Sequence, residues 1–131
     1  VEALKYIGIL RQILKAGSIV FGLSAIFLLA LPSLFLELLE LEVSDTLSWS
    51  MRMIGITLVA LSGNMYVGSK FAPDNALIMV AKVMAISAFG LGFLTLLIPA
   101  KLSLFSLAYA LIGFIFSSAY ALFLWKLSRI K

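Results

Sequence analysis

Cysteine and histidine are both absent from this 131-residue chain. Their absence removes disulfides, thiolate chemistry, the usual zinc and haem ligands, and the side chain that most readily titrates near neutral pH. Charge is scarce too: only 12% of the residues are charged, where a soluble domain carries about a quarter. No period-2 alternation is sustained anywhere, which argues against a membrane β-barrel. The net charge of +4 is spread over basic residues that mostly flank apolar runs. That distribution suits orientation in a membrane and excludes a nucleic-acid patch, which needs clustered basic residues with interleaved aromatics.

What fills the chain instead is apolar: 63% of it is hydrophobic. Surplus of that size has to face something oily. A hydrocarbon core of about 30 Å takes roughly 20 helical residues, and four runs reach that length, over about 16–36, 47–69, 75–98 and 102–126. Two of these runs are free of charge over 16–36 and 102–125; the other two are interrupted only by Arg52 and Lys82. The expected fold is therefore a single all-α membrane domain, an up-down bundle of four transmembrane helices over residues 1–131. Ser44, Asp45 and Thr46 are placed to cap the second helix, Asp74 or Asn75 the third, and Ser103 lies at the start of the fourth, after Pro99 has ended the third. Such short links make consecutive helices antiparallel neighbours.

Before the first run, Ala3, Tyr6, Ile7, Leu10, Ile13 and Leu14 share one helical face and Lys5, Arg11, Gln12 and Lys15 another. This reads as a short basic amphipathic helix, either an interfacial ramp or an extension of the first span. No small-x-small site ends the 16–36 run, so it is taken as retained rather than cleaved. Lys5, Arg11, Lys15, Lys70, Lys126, Arg129 and Lys131 fall at the end that holds the termini, with Lys82 near it, whereas only Arg52 and Lys101 lie at the other end. The positive-inside rule then puts both termini in the cytoplasm, in a prokaryotic inner membrane. Trp49, Tyr6, Tyr66 and Trp125 lie near span ends, where amphipathic rings meet headgroups.

Helices in lipid associate through close packing of small residues. Ala81, Ala85, Ala88 and Gly92 form one such stripe, and Ser106, Ala110, Gly113, Ser117 and Ala121 another; Ser18, Gly22 and Ala25, with Ile56, Ala60 and Gly63, are expected to complete the interior.

Four residues are candidates for binding a lipid or small ligand: Arg52, Asn64, Tyr66 and Lys82. Arg52 has Glu37, Glu40, Glu42 and Asp45 near the same interface, so an ion pair pinning the first loop is expected, with an anionic headgroup or carboxylate as the alternative. Lys82, about two turns into its helix, either snorkels to water or stays buried for function. Asn64, beside Ser62, Gly63 and Tyr66, needs amide partners: an interhelical hydrogen bond, or a small polar cavity to which Tyr109, Tyr120, Ser117 and Ser118 contribute. Met51, Met53, Met65, Met79 and Met84 read as gap-fillers. No metal site, cofactor or catalytic residue emerges.

Several small four-span families fail on missing residues: vitamin K-type quinone reductases need cysteines, and small multidrug exporters need an acid in the middle of the first helix. Arg52-Met53-Ile54-Gly55, Gly63-Asn64-Met65-Tyr66 and the basic Lys82 carry one resemblance. Over about 49–131 the chain resembles small DoxX-like integral membrane proteins. That resemblance implies a four-helix bundle and, in some members, the membrane subunit of a quinone-linked oxidoreductase; it carries over no catalytic residue. The resulting expectation is a non-catalytic subunit that stabilises a larger membrane complex, in contact with lipids and with other integral subunits or itself. The alternative is a lipid- or small-ligand-binding bundle or carrier.

Overall fold

A computed structural model describes residues 2–130. Val1, and Lys131, which was assigned above to the terminal end of the bundle, lie outside the described residues. Every element among those described is helical: α1 (Glu2–Ala30), α2 (Pro32–Leu38), α3 (Asp45–Phe71), α4 (Asp74–Leu96) and α5 (Leu104–Ser128).

Three of these helices, α1, α4 and α5, are long and apolar enough to cross a membrane. The 27-residue α3 is not among them, since Arg52, Thr57, Ser62 and Asn64 dilute its apolar content. At 1.5 Å per residue it still extends about 40 Å, enough to lie alongside α1 over most of its length.

Of the two readings of the N-terminal segment, the structure matches an extension of the first helix and not a separate interfacial one. Residues 2–15 run without a break into the apolar run, and Ile7, Leu10 and Leu14 are buried in the bundle core. That face packs on protein, which serves its apolar side chains as well as a headgroup layer would. The 16–36 run, conversely, is not one helix. Pro32 has no N–H for the Leu28 carbonyl, so α1 stops at Ala30 and the chain restarts with Pro32 in the first turn of α2, where a missing donor costs nothing.

Helix α2 closes the end of the bundle remote from the termini. Its Phe35 and Leu36 are buried, and the Phe35 ring meets Phe27, Phe105 and Tyr109 edge-on at centroid distances of 5.2, 5.3 and 5.7 Å. Ser103 fastens α2 to α5: its Oγ accepts the Ser106 N–H at 3.1 Å as the N-cap of α5 and donates to the Leu38 carbonyl at 2.7 Å. Past Leu38 the chain ends in a Schellman turn, with Leu41 N–H on the Leu36 carbonyl and Glu40 N–H on the Glu37 carbonyl, both at 3.0 Å. Glu40 takes φ 62°, the left-handed region usually left to glycine.

The helices pair as α1 with α3 and α4 with α5, and α1 joins the two pairs. Helix α3 packs on α1 and α2 and meets α4 and α5 only marginally, although α3 and α4 are consecutive. The short 72–73 link does make them neighbours at the turn, but their axes diverge beyond it. At the terminal end Ile7, Leu10, Leu14, Met65, Leu77, Ala81, Met84 and Tyr120 form a closed core.

Candidate functional site

Close packing between α4 and α5 depends on small residues. A Cβ on Gly113 would stand 2.9 Å from the Ala88 carbonyl oxygen and 3.1 Å from the Gly92 nitrogen; one on Gly92 would stand 3.1 Å from the Ala110 carbonyl. Ser117 donates to the Ala85 carbonyl at 2.9 Å, and Ala81 is buried one turn further along. Ala121, by contrast, is exposed and takes no part in this seam.

The stripe expected on α3 faces outward. Ile56, Ala60 and Gly63 are exposed, and a Cβ on Gly63 would touch nothing within 4 Å. Helix α3 turns Gly55 and Met65 to α1 instead: a Cβ on Gly55 would lie 2.9 Å from Leu29 Cγ, so Leu29 occupies the place of a side chain there.

The four candidate ligand residues do not converge. Arg52 forms no ion pair with the first-loop acids; its Nε donates to the Leu29 carbonyl at 3.2 Å. The reason is the α1 terminus, which leaves carbonyls without helical partners and presents a partial negative charge close by. Glu37 and Asp45 share a surface hollow with Arg52 but remain outside ion-pair distance. The Asn64 amide folds back onto the Ala60 carbonyl of its own helix at 2.8 Å, so it makes no interhelical bond. Tyr66 is exposed between two cations, with Lys70 Nζ 4.9 Å and Lys15 Nζ 5.9 Å from its ring centre. Lys82 is exposed on α4. Tyr66 and Lys82 thus belong to the outer surface, as do Arg52 and Asn64.

A different feature occupies the interior. Because α3 diverges from α4 and α5, a cavity of about 370 Å³ opens between the two helix pairs, above the closed core. Met65, Met84 and Tyr120 form its floor toward the termini, and Phe35 of α2 with Leu39 just after it close the opposite end. Gly17, Phe21, Ser24 and Leu28 of α1 form its back wall. Ile54 of α3 and Leu91 of α4 line it while also being about half exposed, at 45% and 50%, so the gap between α3 and α4 communicates with whatever surrounds the protein.

Among the described residues, none that is charged lines this cavity. Its polar groups are few and specific. Ser24 and Tyr109 hydrogen-bond each other through their hydroxyls at 2.8 Å, and Thr95 donates to the Leu91 carbonyl at 2.6 Å. Tyr120 differs: only 1% of it is exposed, and its hydroxyl has no hydrogen-bond partner among the described residues. An unpartnered buried hydroxyl is rare enough in native proteins to require an explanation. Gly17 makes room for the neighbouring Met65, since a Cβ there would lie 2.9 Å from Met65 Cε while meeting the Tyr120 hydroxyl only at an ordinary contact of 3.5 Å.

Known protein families, curated proteins and solved structures offer no match to this chain. Function is therefore read from the cavity and the surface alone. Tyr109 and Tyr120 were visible in the sequence as polar residues of an apolar helix. Ser24 carries a weaker signal: Gly17, Phe21, Ser24 and Leu28 follow an i, i+4, i+7, i+11 pattern that places them on one face.

Proposed function

We propose that this protein is a membrane-embedded bundle that binds a small lipophile in its interior cavity. The single observation that carries this reading is the cavity itself, uncharged, lined from all five helices and open toward the flank between α3 and α4. A volume of about 370 Å³ lies within the range of about 300–1,000 Å³ common to small-molecule sites. In this reading α3 is a fourth crossing beside α1, its polar groups bonded within its own helix or to α1. Both termini face the cytoplasm of a prokaryotic cell. The cations at the terminal end support that orientation: Lys126 Nζ stands 5.8 Å from the Tyr6 ring centre and Arg129 lies 5.3 Å from the Trp125 ring centre, a pairing suited to a headgroup layer.

The test uses the protein in lipid nanodiscs with 2-tridecanone as the probe. A thermal midpoint that rises and saturates with probe mole fraction is expected, and Val20→Phe, which enlarges a half-buried cavity-lining side chain, should abolish the rise. A flat midpoint in the unmodified protein refutes the reading.

A second reading, an accessory subunit of a larger complex in keeping with the DoxX-like resemblance, is favoured by the outer face of α3. Ala60, Gly63 and Asn64 are exposed there, and small or amide-bearing faces gain when another membrane helix covers them. Co-migration with larger proteins in mild detergent, lost in Asn64→Leu, supports it; a stable monomer that keeps a stoichiometric lipophile opposes it.

A further inference from the structure

Resting on the lipophile-binding reading, we infer that Tyr120 is the selecting group of the cavity and that its ligand is an uncharged lipophile carrying a hydrogen-bond acceptor of the carbonyl type.

The exclusion of charge follows from the lining. Among the described residues no Lys, Arg, Asp or Glu borders the cavity, and a carboxylate or ammonium placed there would lose its hydration with nothing to replace it. The acceptor requirement follows from the hydroxyls. Ser24 and Tyr109 bond each other, and Thr95 bonds its own helix, so each has a partner without a ligand, although one O–H of the Ser24–Tyr109 pair has no acceptor of its own. The Tyr120 hydroxyl is the one with no partner at all: it is buried without an acceptor, on a residue that borders the cavity floor with Met65 and Met84. A phenol is a good O–H donor, and the group it lacks is an acceptor.

The position of Tyr120 also sets the ligand's direction. Because it lies at the floor, toward the termini, the acceptor end enters deepest and the hydrocarbon remainder lies along Leu58, Leu91 and Ile112 toward the flank. A ligand with its polar group at the opposite end would meet Phe35 of α2 and the following Leu39, and leave the Tyr120 hydroxyl unpaired.

Lipid tails solvate a hydrocarbon chain as well as the cavity wall does. Selection between lipophiles of equal length therefore falls to the polar contact. The test compares 2-tridecanone with tridecane in nanodiscs, read as the mole fraction giving half the maximal rise in thermal midpoint. The unmodified protein should prefer the ketone about tenfold, the effect of one hydrogen bond to an otherwise unpaired donor. Tyr120→Phe should reduce that preference to about one while keeping or raising the ligand-free midpoint, because it removes a desolvated hydroxyl. Tyr6→Phe, outside the cavity against Phe123, should leave the preference intact. Equal binding of ketone and alkane by the unmodified protein overturns the inference, as does a preference that survives Tyr120→Phe or vanishes in Tyr6→Phe instead. Binding of neither probe is a separate result, which defeats the lipophile reading and the inference with it.

Discussion

Arg11 of α1 reaches Asp74 at the start of α4, Nη2 to Oδ1 at 3.0 Å, while the same guanidinium donates to the carbonyls of Ser69 at 3.2 Å and Ala72 at 2.7 Å. One side chain thereby satisfies the last carbonyls of α3 and holds the first turn of α4. It lies where α3 and α4, otherwise barely touching, come together.

Removing that guanidinium should loosen the turn far more than removing its acidic partner. Arg11→Ala is expected to cost about 2 kcal/mol, since charge-assisted bonds to two carbonyls are lost. Asp74→Asn should cost under about 1 kcal/mol, because Asp74 is half exposed and both carbonyl bonds survive. Thermal unfolding in nanodiscs, with hydrogen exchange over 69–76, checks the order; equal losses would mean that the ion pair, and not the two carbonyl bonds, holds the turn.

Gly113→Ala should separate α4 from α5. Its new Cβ would meet the Ala88 carbonyl oxygen at 2.9 Å, and backbone atoms cannot swing away as a flexible side chain can. A loss of about 1–3 kcal/mol is expected, whereas Gly63→Ala, with open space around it, should be neutral or slightly stabilising. Comparable melting of the two variants would count against the packing described for α4 and α5.

Glu40→Gly should stabilise the protein by about 1 kcal/mol. Glu40 occupies a left-handed conformation at the end of α2 that glycine adopts without strain, and its carboxylate is in no ion pair among the described residues. A lower melting temperature in this variant would mean that the carboxylate contributes something the turn geometry does not account for.

Arg52→Ala is expected to cost about 1 kcal/mol through the Leu29 carbonyl, and Glu37→Gln should stay within about 0.5 kcal/mol. Were the two residues coupled as an ion pair, a double-mutant cycle would give a coupling energy above that scatter.

Much of the helical plan was legible because membrane-length apolar runs and serine caps are local signals. Ser44 and Ser103 cap α3 and α5 as their positions suggest, with Leu47 N–H and Ser106 N–H each at 3.1 Å. The small residues joining α4 to α5 were legible for the same reason, being periodic on one face. Asp74, read as a possible cap, shows the limit: the N-cap of α4 is Pro73 without a side-chain bond, and the carboxylate serves Arg11, a residue 63 positions away. Arg52 misled similarly, since the nearby acids were visible in the sequence but the free carbonyl of Leu29 was not, being a product of the break at Pro32. The cavity was least legible. It is bounded by the failure of α3 to close on α4 and α5, and no residue pattern within a single helix encodes where two helices part.

On the lipophile-binding reading proposed above, the gap between α3 and α4 also sets which concentration would govern the protein's occupancy. With α2 plugged into one end by Phe35 and the core filled at the other, a guest would arrive sideways, out of the acyl chains. Its dilution would then be counted per lipid, and solubility in water would drop out. A compound too insoluble to be titrated from buffer would still saturate this site once it made up a modest share of the membrane, and thinning it with added lipid would empty the site at constant total amount.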